Sequence, residues 1–256
     1  MQVDEDNVPI LKGRSLRPKD AATVLVIRRD GPSPRVLMGR RAKGHVFMAS
    51  KWVFPGGRLH PADFRVAAAS ELHDETATSL CRTAPPARAR ALAAAAVREL
   101  FEETGLVLGA PGSGRTKSPE WRDFLATGHL PHLEPLRFVG RAITPPVRPR
   151  RFDARFFTLE AHHLVSLDPG AGCGELDEIA WFDWDEAEKL DLPSITRAIL
   201  ADVAARLDDP TRPIPYHRFD NGRHRLLTLL RRSPASPSPI FAATPTPRSP
   251  RGRDWW

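Results

Sequence analysis

Three glutamates close together in the chain are the side chains that point most directly to chemistry. Glu99, Glu102 and Glu103 stand at positions i, i+3 and i+4 of the segment 98–106. On an α-helix these positions share one face, where like charges repel one another. A neutralising cation is therefore predicted. Mg²⁺ suits this role because it prefers carboxylate oxygens, and Mn²⁺ is the expected substitute.

Glycines flank this cluster at two places. Gly105 follows the glutamates, as a residue that ends a helix in the left-handed region does. Upstream, residues 54–57 read Phe-Pro-Gly-Gly and predict a tight loop. Together these segments resemble the box of the Nudix family, in which Gly, five residues, Glu and seven residues precede Arg-Glu-apolar-x-Glu-Glu-x-Gly-apolar. Gly57 opens the box here, and residues 98–106 match its second half at every position.

The first half of the box departs from the family pattern in two ways. Asp63 stands where the family has Glu, and 34 residues instead of seven separate it from Arg98. The extra residues predict a helical insertion at about 64–90. Asp63 is one methylene shorter than Glu, and the insertion brings Glu71 and Glu75 as substitutes, so the sequence leaves this role open among the three acids.

The resemblance implies catalytic roles for four residues of the box. Glu102 and Glu103 are expected to bind the metal, and Glu99 either binds it or acts as the general base. Arg98 is expected to orient a glutamate through a salt bridge. The family often adds a carboxylate from outside the box, and this is expected to be either Glu175 or Glu178, before the strand that ends at Trp181 and Phe182.

Substrate contacts are predicted at residues that offer a cation, an aromatic ring or a close backbone approach. Guanidinium groups make two-pronged contacts with phosphate, and an aromatic ring can stack on a base. For the arginines of the first hairpin the alternative is an ordinary solvated turn, and for Phe152, Phe156 and Phe157 it is core packing. The predicted substrate-binding residues are Arg40, Arg41, Gly57, Arg151, Arg155 and Phe152.

The long gap, the Val-Phe-Pro-Gly-Gly loop at 53–57 and the aromatic-basic segment 151–157 resemble one branch of the family, the coenzyme A diphosphatases of peroxisomes. The branch implies a Mg²⁺-dependent pyrophosphohydrolase of coenzyme A or acyl-coenzyme A. The alternatives are an ADP-ribose or dinucleotide pyrophosphatase and a non-catalytic nucleotide-binding domain. The sequence ends in Asp254-Trp255-Trp256 and not in Ser-Lys-Leu, so a cytoplasmic location is expected instead of a peroxisomal one.

Composition narrows the class of protein further. The net charge of +7 lies in residues 210–256, which hold nine arginines and two acidic residues. The tail shows no interleaving of aromatic and basic residues of the kind that lines a nucleic-acid groove, so a nucleic-acid partner is not expected, and the expected partner is a small nucleotide diphosphate. The sequence shows neither an apolar leader nor an apolar run of membrane length, and Cys81 and Cys173 lack a metal or redox spacing.

Hydrophobic patterning predicts an α/β protein. Strands are expected at 22–28, 36–40, 136–144, 154–160 and 178–182, and helices at 66–80, 87–103, 121–126, 185–190 and 194–207, with a loop at 109–119. The resemblance implies an α/β/α sandwich around a mixed sheet. The predicted organisation is an N-terminal segment (1–19), a Nudix domain (20–210), a C-terminal extension (211–232) and a disordered basic tail (233–256).

Overall fold

The structure is a computed structural model that describes residues 6, 16–42, 44, 48–146, 148–170, 172–220 and 223–229. Eleven strands and five α-helices lie within these described residues. The strands are β1 (Lys19–Arg28), β2 (Arg35–Arg41), β3 (Trp52–Val53), β4 (Gly56–Arg58), β5 (Gly109–Pro111), β6 (His129–Pro131), β7 (Arg137–Ile143), β8 (Phe152–Glu160), β9 (Leu176–Asp183), β10 (Ile214–Asp220) and β11 (Arg223–Leu229). The helices are α1 (Asp74–Cys81), α2 (Pro86–Thr104), α3 (Pro119–Ala126), α4 (Trp184–Lys189) and α5 (Ser194–Asp208).

A mixed sheet forms the centre of the molecule. Its strand order is β11-β10-β7-β8-β1-β2-β3, with β4 paired to β1 and β9 paired to β2. The pairs β1–β8 and β7–β10 are parallel, and the others are antiparallel. A separate two-stranded sheet joins β5 to β6. The Gly-Gly strand β4 therefore lies directly beside the central strand β1.

Alternation along β1 sends apolar side chains to both faces of the sheet. Val24 and Val26 pack on one face in a core with α2 and α3, whereas Leu25 and Ile27 pack on the other face with α5. A sheet covered on both faces gives three layers. The predicted α/β class, with a mixed sheet between helices, is confirmed.

Helix α2 is the element that carries the glutamates. Its buried alanines at 93–96 have small side chains, so the helix lies close against the sheet. Alanine is also the best helix former, which favours an unbroken helix up to the glutamates. The helix ends at Gly105, whose φ of 74° lies in the left-handed region, as the sequence predicts.

The segment between the two halves of the box differs from expectation. The helix predicted over 66–80 is wrong for residues 66–73, because only Asp74–Cys81 is helical, and its preceding residue His73 caps it by accepting a hydrogen bond from the N–H of Glu75. The loop predicted at 109–119 begins with strand β5. Strands β10 and β11, in the segment predicted as a C-terminal extension, join the central sheet beside β7. The predicted disordered tail, 233–256, lies outside the described residues.

Candidate active site

The last two turns of α2 face strand β4, so the two halves of the sequence motif meet in space. The N–H of Gly56 donates a hydrogen bond to Oε2 of Glu103 at 2.9 Å. The carboxylate of Glu99 lies against the Cα of Gly57, where an added Cβ would stand 2.4 Å from Glu99 Cδ. Only glycine leaves room for this contact, since real Cβ atoms do not approach another atom so closely. Gly57 therefore sets how near the Glu99 carboxylate comes to the loop.

Arg98 connects the glutamates to one another. Its Nη1 donates to Oε1 of Glu99 and to Oε2 of Glu102, both at 2.9 Å. Its Nη2 donates to the carbonyl oxygen of Arg58 at 2.9 Å, which ties the helix to strand β4. Arg98 is only 3% exposed, and water therefore competes little for these bonds. The side chain is placed to orient two of the three glutamates at once.

Asp63 completes the anchoring of Arg98. Its carboxylate accepts from Nε and Nη2 of Arg98 at 2.9 and 3.1 Å, in a two-pronged ion pair, and it is fully buried. A 3₁₀ turn over Pro61–Phe64 positions it, with the N–H of His60 donating to Asp63 Oδ2 at 2.7 Å. The structure thus brings Asp63, among the three acids that the sequence left open, to Arg98. Glu71 instead pairs with Arg90 at 2.9 Å.

Trp121 is a site residue that sequence reasoning missed. From helix α3, its indole Nε1 donates to Oδ1 of Asp63 at 3.0 Å, and its ring is 1% exposed. Asp63 therefore accepts hydrogen bonds from Arg98, His60 and Trp121. The sequence carries no spacing signal for this contact, because Trp121 reads as an ordinary apolar residue of a short helix.

The electrostatics of the cluster disfavour its negative charge. Burial raises the pKa of the Glu103 carboxyl to about 8, and the Gly56 N–H only partly opposes this. Burial likewise raises the pKa of Glu99 to about 7, against the attraction of Arg98, and it also raises the pKa of Glu102. For Arg98, burial disfavours the charged form, but Asp63 and the nearby glutamates raise its pKa overall.

Comparison with known proteins assigns this arrangement to a family. A family model for the NUDIX domain matches residues 17–203, well over half of the chain. The chain belongs to the Nudix family. Nudix hydrolases act on diphosphate anhydride bonds, and the chain is a hydrolase of that kind.

Solved structures of Nudix proteins are similar in fold. The NUDIX hydrolase from Alicyclobacillus acidocaldarius has 29% identity and a TM-score of 0.56, over 77% of this chain and 98% of that one. The MutT protein from Methanosarcina mazei Go1 has 18% identity and a TM-score of 0.44, over 76% and 99%. The NUDIX domain of Shewanella oneidensis NrtR, solved with ADP ribose, has 12% identity and a TM-score of 0.47, over 75% and 90%. These last two TM-scores are low, so the assignment depends on the family model and the first structure. Among curated proteins, no match was found.

Nudix hydrolases generally use a divalent metal, and the acidic side chains here fit one. Within the described part of the chain, no three acidic, histidine or cysteine side chains are drawn together as a metal site. Glu99 and Glu102 accept hydrogen bonds from Arg98, and Glu103 accepts one from the Gly56 N–H. The donors are all carboxylate oxygens, which hard ions such as Mg²⁺ and Mn²⁺ take. Burial raises the pKa values of Glu99 and Glu103, and a bound cation would favour their ionised forms. Glu99, Glu102 and Glu103 would hold the ion.

Of the residues predicted on the first hairpin and near strand β9, Arg41 and Glu175 lie near the Nudix cluster. The positive charge of Arg41 lowers the pKa of Glu103, and the negative charge of Glu175 raises it. Arg41 and Glu175 therefore lie near the Glu103 carboxylate. Arg41 and Glu175 face each other at 3.6 Å. Glu178 pairs with Arg40 at 3.0 Å, and Arg40 also bonds Asp177 at 3.1 Å. Glu175 is therefore the better placed of the two acids that the sequence left open.

The aromatic-basic segment lies elsewhere, along β8. Arg155 is 1% exposed, and its Nη1 pairs with Asp20 and Asp153 at 3.0 and 2.9 Å. That burial and pairing do not fit the predicted contact with substrate, so the expectation for Arg155 is corrected. Arg151 donates to two backbone carbonyls, and Phe152 is half-buried beside Lys19 of β1. Phe156 and Phe157 pack in the two cores, one on each face of the sheet.

Proposed function

We propose that this chain hydrolyses the diphosphate of a nucleotide-linked metabolite with Mg²⁺, or Mn²⁺ in its place, and that its substrate is coenzyme A or acyl-coenzyme A. One observation carries the reaction type. Arg98, held by the buried Asp63, binds Glu99 and Glu102 while the Gly56 N–H binds Glu103, so three carboxylates are held at the end of α2 that faces the Gly-Gly strand β4.

The residues of the site have different proposed roles in diphosphate hydrolysis. A divalent ion bound by the glutamates would neutralise charge on the phosphate oxygens and activate water. Glu99, whose pKa is raised to about 7, could take up a proton near neutral pH, as a general base must. Arg98 keeps Glu99 and Glu102 in place, and Gly57 lets the Glu99 carboxylate approach the loop.

The substrate proposal depends on sequence resemblance to the coenzyme A diphosphatase branch. The segment between Gly57 and Arg98 is long, and we propose that about 64–90 is an insertion in the Nudix box that contains helix α1. The insertion does not displace the box, since Asp63 still reaches Arg98. ADP-ribose or a dinucleotide is the alternative substrate, because the box acts on the diphosphate and other residues select what is attached.

A substrate panel tests the proposal. Coenzyme A, acetyl-coenzyme A, ADP-ribose, NADH, diadenosine tetraphosphate and deoxynucleoside triphosphates are assayed with Mg²⁺ and without it. Coenzyme A or its acetyl form is expected to give the highest kcat/KM, and removal of the metal should abolish turnover. A roughly hundredfold higher kcat/KM for ADP-ribose, about 2.7 kcal/mol in transition-state binding, would overturn the coenzyme A assignment. The proposed reaction type would still stand.

A pair of variants tests whether the glutamates carry the reaction. Glu102→Gln keeps the side-chain shape but removes a charge, and kcat is expected to fall about a hundredfold or more, as when a catalytic electrostatic group is lost. Higher Mg²⁺ should restore part of the rate. The matched control is Glu188→Gln, the same change at an exposed position of α4, which should keep the parent rate. Near-parental turnover by Glu102→Gln at limiting Mg²⁺ would refute a catalytic role.

A further inference from the structure

A second concave surface lies at the start of β1, beside the Gly-Gly strand. It is a cleft of about 570 Å³, and the charged residues that line it are Arg17, Lys19, Asp20, Arg58, Arg88 and Asp153. Arg58 directly follows Gly57, and its backbone carbonyl accepts from Arg98, so the cleft begins one residue from the catalytic loop. Its volume suits a small molecule.

Three cations of this cleft have no anionic partner within the described part of the chain. The side chains of Arg17, Lys19 and Arg58 are exposed, and none makes a hydrogen bond or an ion pair with a described residue. Most other arginines around the sheet are paired with a carboxylate or bonded to a carbonyl oxygen. Three uncompensated positive charges around one concavity raise the local concentration of anions.

The two carboxylates of the cleft do not balance these charges, because other arginines already neutralise them. Asp20 pairs with Arg155 at 3.0 Å and with Arg88 at 3.4 Å. Asp153 pairs with Arg155 at 2.9 Å and with Arg141 at 2.7 Å. The acids therefore serve to hold the buried arginines of β7 and β8, and the cleft keeps a net positive charge.

We propose that this cleft binds a phosphate monoester. Guanidinium groups meet phosphate oxygens through two parallel hydrogen bonds, and an ammonium group adds a point charge. Arg17 and Arg58 would supply the guanidinium contacts, and Lys19 the ammonium contact. The monoester belongs either to the substrate itself, at a position remote from the cleaved diphosphate, or to a separate phosphorylated ligand. Phosphate binding requires no turnover, so the site is independent of the proposed reaction.

Calorimetric titration with inorganic phosphate tests the site directly. The full chain is used at low ionic strength, where charge attraction is least screened, and without divalent cations, so that no bound metal ion draws phosphate to the Nudix cluster. The test variant is Arg17→Gln/Lys19→Gln/Arg58→Gln. The control variant is Arg115→Gln/Lys117→Gln/Arg122→Gln, which removes three charges that are also exposed and also have no partner among the described residues.

The parent and the control variant are expected to bind phosphate with affinities within about twofold of each other, and the test variant at least about tenfold more weakly. No binding by the parent, or unchanged binding by the test variant, would overturn the proposal. Because all three side chains are exposed, their loss should leave the thermal transition in place. If the variant nevertheless unfolds, Arg17→Gln alone decides the question: a partial loss of affinity supports the site, and parental affinity overturns it.

A kinetic comparison distinguishes the two sources of the phosphate. Coenzyme A and 3′-dephospho-coenzyme A differ only by one phosphate monoester. If the monoester belongs to the substrate, the parent's preference in KM for coenzyme A should disappear in the test variant and persist in the control variant. If phosphate affinity is lost while this preference is unchanged, the site serves a separate phosphorylated ligand. Either result supports the site, since both require that the test variant lose phosphate affinity.

Discussion

Asp63 and Arg98 lie 35 positions apart in the chain, yet their side chains form a two-pronged ion pair at 2.9 and 3.1 Å. Both are buried, at 0% and 3% exposure. The pair uses Nε and Nη2 of Arg98 and leaves Nη1 for Glu99 and Glu102. The carboxylate that departs from the family pattern thus determines how Arg98 faces Glu99 and Glu102.

Asp63→Asn should destabilise the protein strongly. The amide keeps the side-chain size but removes the charge and turns one acceptor into a donor that faces Arg98. Removing one partner of a buried ion pair costs about 3–5 kcal/mol, and urea unfolding should show a loss of that order. Glu71→Gln removes an exposed partner of Arg90 and should cost about 1 kcal/mol or less. Equal stabilities of the two variants would contradict the anchoring role of Asp63.

Trp121→Phe tests the third donor to Asp63. The ring is retained, but the bond from Nε1 to Asp63 Oδ1 is lost, which should cost about 1.5–3 kcal/mol because the acceptor is charged. Trp184 provides the control, since its indole Nε1 is buried without a hydrogen-bond partner among the described residues. Trp184→Phe removes a donor that makes no bond and should be the less costly change. The expectation fails if urea unfolding shows the larger loss for Trp184→Phe.

The sequence predicted the helix that carries the glutamates well because its signals are local. The alanine run, the spacing of the glutamates and the terminal glycine are signals that act within a few residues. They predicted helix α2 and its end at Gly105. The strands around β1 followed from apolar patterning for the same reason. By contrast, the helix expected over 66–80 begins only at Asp74, where His73 caps it, and alanine content alone did not reveal that start.

Contacts that depend on tertiary packing were beyond the sequence. Trp121 reaches Asp63 from a helix 58 positions away, and no local pattern encodes that distance. Arg155 resembled a phosphate ligand in the linear sequence, but the register between β1 and β8 places it beside Ala22, and its guanidinium pairs with Asp20 and Asp153. The position of Glu175 opposite Arg41 likewise depends on tertiary packing that no local pattern encodes.

Gly57→Ala should lower activity without unfolding the protein. The new Cβ would stand 2.4 Å from the Glu99 carboxylate, which must move away from its place beside Arg98. A displacement of about 1 Å at a catalytic group can cost about a hundredfold in rate, and kcat should fall by that order. Gly31→Ala is the control, because its nearest contact would be an ordinary 3.8 Å. Parental kcat in Gly57→Ala would show that the Glu99 position does not matter.

The stability of the metal-free protein should depend on pH through Glu103. Its carboxyl titrates near 4.5 when unperturbed, and burial raises its pKa to about 8 in the folded state. The folded protein therefore binds this proton more tightly than the unfolded chain does, and the contribution to stability is fully present below about 4.5. It is lost as the pH rises toward about 8. Urea unfolding in a chelating buffer at several pH values should show this decline.

Glu103→Gln isolates the effect, because the amide carbonyl can still accept the Gly56 N–H but does not ionise. Its stability relative to the parent should rise across the interval between these two pKa values and level off above it. Glu188→Gln, at an exposed position of α4, should follow the parent at every pH. Added Mg²⁺ should stabilise the parent most at the alkaline end, since it binds the ionised folded state, and should stabilise Glu103→Gln less. If the unfolding free energies of the parent and Glu103→Gln change with pH in the same way, burial of the Glu103 carboxyl does not disfavour its charged form.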